Sequence, residues 1–183
     1  MNMGFIKESG KGIKRWGAFF SALVVSVWVL TSPVQAGETT RKWKINNHIT
    51  KMQAIPIPGA PGRVIGFYER QGKAVFEDGE TASQVLRCTF DMVQGAGPFQ
   101  GYGLLTYGDG STTLMKIHGI MNPPEEGKLP TGKGTGKYMG GTGGYEGIQG
   151  NMSFTVQILT PVTEGSKGEA LVELTATYTL PEK

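Results

Sequence analysis

The sequence predicts an all-β fold of eight strands, closed into a barrel or packed as a sandwich. Apolar and polar residues alternate at period two in eight stretches, the mark of half-buried strands. Turns rich in Gly or Pro separate those stretches, and no segment after residue 36 holds a helical period beyond two turns.

In the first strand Trp43, Ile45, Asn47 and Ile49 share a face. Ile65, Phe67 and Glu69 share a face of the second, with a kink expected at Gly72 before Ala74 and Phe76. Leu86, Cys88, Phe90 and Met92 line the third, while Arg87, Thr89 and Asp91 point the other way. The fourth runs over Gly97–Tyr107 and ends in a Gly108-Asp109-Gly110 hairpin turn. Thr113, Met115 and Ile117 begin the fifth, which stops before Asn122-Pro123-Pro124. Lys137–Gly140 is a short sixth. Met152, Phe154, Val156 and Ile158 share a face of the seventh, and Ala170, Val172, Leu174, Ala176 and Tyr178 a face of the eighth. Closure into a barrel would remove the edge strands that invite aggregation.

The first 36 residues read as a transport address. A basic stretch ending at Lys14-Arg15 precedes an apolar run over Trp16–Leu30 and a polar segment ending in Val34-Gln35-Ala36. This is the order of a cleavable secretory signal peptide over 1–36. The apolar run has 15 residues, short of the roughly 20 that a spanning helix needs. The expected product is one domain over 37–183, periplasmic or extracellular, with no membrane association after cleavage. Without the head, 14 basic residues face 14 acidic ones. That balance leaves no basic footprint for nucleic acid. A single cysteine, Cys88, excludes an internal disulfide framework, and with only His48 and His118 no metal site is expected.

Glycine is abundant, 25 of the 147 residues after position 36, nine of them within Gly132–Gly150. Gly127–Lys133 fits the first seven places of a phosphate-binding loop, but Gly134 stands where Ser or Thr must hold magnesium. No helix follows it, and the glycine spacing of a dinucleotide fold is missing too, so no cofactor is expected.

The same stretch carries a family likeness. Gly140-Gly141-Thr142-Gly143, Tyr145 and Gly147-x-x-Gly150, followed by the strand over Asn151–Thr160, resemble the late Gly-rich signature of the allene oxide cyclase/dirigent barrel superfamily. Tyr102–Gly110 is similar to that family's aromatic strand and Gly-Asp hairpin. The resemblance implies an eight-stranded antiparallel barrel around a largely apolar cavity, and a homodimer or homotrimer. It also implies cofactor-free cyclisation of reactive lipids or control of phenol coupling, in which confinement supplies much of the selectivity. Cyclases of the family use a carboxylate, an asparagine and a cysteine, and Cys88 falls in the third strand as the family's cysteine does.

If the apolar face points inward, the candidate catalytic residues are Glu69 and Cys88. The candidate ligand-binding residues are Asn47, Phe67, Phe90, Tyr107, Phe154 and Tyr178. A carboxyl group buried without a partner would titrate high and serve as general acid or base. Yet Glu69 adjoins Arg70 and a glycine, the setting of an exposed strand-end carboxylate. Cys88 reads more readily as a small buried hydrophobe than as a reactive thiol. Three functions remain open: a carrier or sensor of a small apolar molecule, a cofactor-free isomerase or coupling-control protein, and a packed interaction barrel. A cavity walled by Glu69 and Cys88 would favour the enzyme, an apolar cavity the carrier, and no cavity the scaffold.

Overall fold

Period-two alternation becomes strand along nearly its whole length in the computed structural model, which describes residues 37–182. The signal peptide expected over 1–36 lies outside the described residues. The strands are β1 (Thr39–Pro56), β2 (Arg63–Phe76), β3 (Thr81–Val93), β4 (Gly97–Tyr107), β5 (Thr112–Met121), β6 (Thr131–Thr142), β7 (Gln149–Ile158), β8 (Val162–Thr163), β9 (Ser166–Lys167) and β10 (Ala170–Thr179). The order β1-β10-β7-β6-β5-β4-β3-β2 closes on itself, antiparallel throughout. The architecture is a closed eight-stranded antiparallel barrel. β8 and β9 form a separate two-stranded hairpin set into the β7–β10 connection.

Two of the strands outrun the sequence pattern. β1 pairs with β10 only from Thr39 to Asn47, then continues to Pro56 against β2 alone. Along Thr50–Pro56 every residue is exposed, so no buried face imposes an alternation that could be read. β6 begins at Thr131 although glycines fill its inward positions. Those glycines make room for rings from neighbouring strands. A Cβ on Gly119 would stand 2.5 Å from Phe99 Cζ, and one on Gly66 2.7 Å from Phe90 Cζ. Gly134 lies against the Phe154 ring in the same way. Rings over glycines let neighbouring strands fill a narrow interior without forcing them apart.

β2 departs from expectation in its parity. It pairs with β3 without a break from Arg63↔Val93 to Val75↔Thr81, so no kink at Gly72 reverses its faces. Ala74 and Phe76 point inward, and therefore so do Gly72, Arg70, Tyr68, Gly66 and Val64. Ile65, Phe67 and Glu69 lie on the outer face. The apolar pair Ile65 and Phe67 imitated a core stripe, yet both are more than a third exposed, at 39% and 37%.

The core divides along the barrel axis. At one end Trp43, Phe76, Tyr107 and Tyr145 form a continuous aromatic plug. Tyr145, on the 3-10 turn Gly143–Tyr145, stacks on Tyr107 with centroids 4.4 Å apart. Tyr107 stacks on Phe76 at 5.8 Å, and Phe76 meets Trp43 at 5.2 Å. Arg41 caps the plug. Its guanidinium sits 3.8 Å above the Phe76 ring, donates to Tyr145 Oη at 3.0 Å, and pairs with Asp78 and Glu80. The Gly-rich stretch over 140–150 thus folds an aromatic side chain across one end of the barrel.

Candidate functional site

The other half of the interior is hollow. A cavity of about 290 Å³ lies among the inward side chains of every barrel strand except β6. Its wall is mostly apolar and includes Val64, Leu86, Phe90, Met115, Phe154 and Leu174. Val162 of the β8–β9 hairpin lines it from the mouth. The size is roughly twice that of a dry apolar cavity able to hold benzene (~150 Å³) and sits at the small end of ligand pockets.

A small polar group interrupts the apolar wall. Arg70, Asn47 and Gln84 all line the cavity. Arg70 Nη1 donates to Asn47 Oδ1 at 3.1 Å and to the Gly168 carbonyl at 2.8 Å. Asn47 Nδ2 in turn donates to Gln84 Oε1 at 3.2 Å. Tyr68 stands beside them, its ring centroid 5.5 Å from the Arg70 guanidinium and 6.0 Å from that of Phe90. Burial pushes the Tyr68 hydroxyl well above its ordinary range and pulls Arg70 down from its own. An arginine keeps its charge even so.

The residues picked out from sequence separate into four groups. Asn47, Phe90 and Phe154 line the cavity. Cys88 is buried in the interior beside Tyr68, and burial raises its thiol to about 11, against a smaller opposing pull from the Tyr68 hydroxyl. Tyr107 and Tyr178 are buried at the opposite end, in and beside the aromatic plug, where Tyr178 meets Tyr138 edge-on at 5.8 Å. Phe67 and Glu69 are outside the barrel.

Glu69 is covered without being interior. It accepts hydrogen bonds from Arg87 Nε at 2.8 Å, Thr50 Oγ1 at 2.9 Å and Gln71 Nε2 at 3.3 Å. A bulge in β1 between Ile49 and Lys51 brings Thr50 to that position. These donors, Arg87 first, hold the carboxyl below its usual range. The expectation of an inward Glu69 is therefore overturned by the unbroken β2 register. Sequence reasoning missed Tyr68, Arg70 and Gln84. Counting backwards by twos from Phe76 and Ala74 would have found the first two.

No protein-family model matches the chain, and no curated protein does. Among solved structures it is similar to two pterocarpan synthase dirigent proteins. GePTS1 shares 12% identity at a TM-score of 0.46, over 83% of this chain and 90% of that one. PsPTS1 shares 14% at 0.45, over 81% and 99%. A protein of unknown function from the DUF3224 family of Shewanella oneidensis MR-1 also shares 14% at 0.45, over 81% and 100%. The barrel itself is established by the strand pairing.

A larger depression of about 1160 Å³ is lined by residues of β2, β1, β10, β7, β6 and β5. It is shallow and open to solvent. Lys44 and Glu173 pair across it at 2.6 Å, both more than half exposed. Exposed pairs of this kind add little to stability.

Proposed function

We propose that this barrel binds a small, predominantly apolar molecule in its interior cavity, as a carrier or sensor. The observation that carries the reading is the cavity of about 290 Å³, apolar for most of its wall and set behind an aromatic plug. Such a site holds a guest by removing apolar surface from water, at roughly 25 cal/mol per Å². The catalytic reading depended on Glu69 at the wall, and Glu69 points away from it. Tyr68 lines the cavity and Cys88 is buried beside Tyr68, but burial keeps both protonated at neutral pH, so neither offers a general base. Steering of a reactive guest, the finer role implied by the family likeness, would rest on this same holding. The proposed place of work is periplasmic or extracellular, from the charge and hydropathy order of residues 1–36.

Native mass spectrometry of gently purified protein tests the reading. A co-purifying small molecule, lost when the protein is denatured, is the expected result. Repeated preparations without one, together with no thermal shift from a panel of fatty acids and phenols, would favour a packed interaction barrel.

A further inference from the structure

The described residues contain four arginines, and they differ in how their charge is met. Arg41 pairs with Asp78 and Glu80, Arg63 with Asp91, and Arg87 with Glu69. Arg70, which faces the cavity, has no acidic partner among the described residues. Its acceptors are an amide oxygen and a backbone carbonyl, both neutral. Both of those hydrogen bonds leave from Nη1, and a guanidinium carries five N–H donors in a fork that matches a carboxylate. The neighbouring acid does not help, because Glu69 is on the other side of the wall and held by Arg87.

Arg70 is half-buried, and a charge drawn partly out of water without a counter-charge carries a cost that a fold normally offsets by pairing it. Here the arginine is held in place instead, by Asn47, by Gly168 and by the Tyr68 ring. Gln84 fixes Asn47 in turn. The result is a positioned cation at the edge of an apolar chamber. A guest with an apolar body and one anionic end would satisfy both.

Resting on the binding reading above, we infer that the cavity takes a small apolar carboxylic acid, its body among Leu86, Phe90, Met115 and Phe154 and its carboxylate on Arg70. Among the described residues that line the cavity Arg70 is the one cation, which suits a monoanion. The modest volume suits a single ring with a short chain, or an aliphatic chain of medium length.

Three probes of one shape and different charge test this by calorimetric titration at pH 7.4: 4-phenylbutyrate, 4-phenyl-1-butanol and 4-phenylbutylamine. The acid is expected to bind at least tenfold more tightly than the alcohol, and the amine more weakly than either. Arg70→Gln should bring acid and alcohol to parity, whereas Arg70→Lys should keep most of the preference. An acid that binds no better than the alcohol to the unmodified protein overturns the inference and leaves the apolar cavity standing. Persistence of the preference in a folded Arg70→Gln protein overturns it too. Binding of none of the three overturns this inference and the binding reading together. Should Arg70→Gln fail to fold, the three-probe ranking on the unmodified protein decides.

Discussion

Glu69 and Arg70 are neighbours in the chain and lie on opposite sides of the barrel wall. Glu69 meets Arg87 and Thr50 outside, and Arg70 meets Asn47 and the cavity inside. One step along a strand reverses the face, so an acid and a base that could have neutralised each other never meet. The acid becomes part of the surface, and the base is left for something else.

Glu69 should therefore affect stability and not binding. Its folded-state pKa is depressed below the ordinary 4.5 by Arg87 and Thr50. A depressed carboxyl contributes stability above its unfolded pKa and loses that contribution as pH falls through the folded one. Glu69→Gln should lower the urea midpoint at pH 7, with the gap closing as both proteins are taken to about pH 3. Guest affinity should not change. A gap that widens on acidification would contradict the assignment.

The fit of rings over glycines predicts where small changes are costly. A Cβ on Gly119 would meet Phe99 Cζ at 2.5 Å and the Lys133 carbonyl oxygen at 2.7 Å, whereas one on Gly108 meets nothing within 4 Å. Gly119→Ala should destabilise by about 1–3 kcal/mol, as overpacked cores do. Gly108→Ala should stay within about 0.5 kcal/mol of the unmodified protein. Denaturant unfolding of the two variants measures the contrast, and equal stabilities would refute it.

Much of the architecture was legible in the residues. The alternation in β3, β7 and β10 marks their inward faces, and Gly108-Asp109-Gly110 marks its hairpin, where Asp109 caps the turn by accepting from the Ser111 amide at 2.9 Å. Those signals survive because one face of each strand is buried and the other wet. β2 misled because its outer face carries Ile65 and Phe67 while its inner face carries Gly66, Tyr68 and Arg70. Hydropathy at that strand points outward, and only pairing with β3 fixes the parity. The extension of β1 over Thr50–Pro56 left no trace, since every residue there is exposed. Tyr107 and Tyr178 were legible as interior, but the alternation along a strand gives no position along the barrel axis, so their place by the plug was not.

Cys88 is the sole thiol in the sequence, which makes its reactivity easy to read. With the thiol raised to about 11, the thiolate at pH 8 is on the order of one part in a thousand. The side chain is also 2% exposed. A thiol-reactive disulfide reagent should label the native protein at least ~100-fold more slowly than the urea-unfolded chain. Rapid labelling of the native state would restore Cys88 as a nucleophile and reopen the catalytic reading.

The interior cavity is the centre of this account, and Gly103 gives direct access to it. Gly103 lines the cavity, and a Cβ there would meet only the flexible Met115 Cε at 3.3 Å and Leu86 Cδ1 at 3.7 Å. Gly103→Leu should fill the chamber while the barrel stays folded. The decisive measurement is the affinity of 4-phenyl-1-butanol for the unmodified protein and for Gly103→Leu, with unfolding followed in parallel. Binding to the first and a loss of at least tenfold in a folded variant is the predicted result. Equal binding to both would place the guest elsewhere on the molecule and contradict the account.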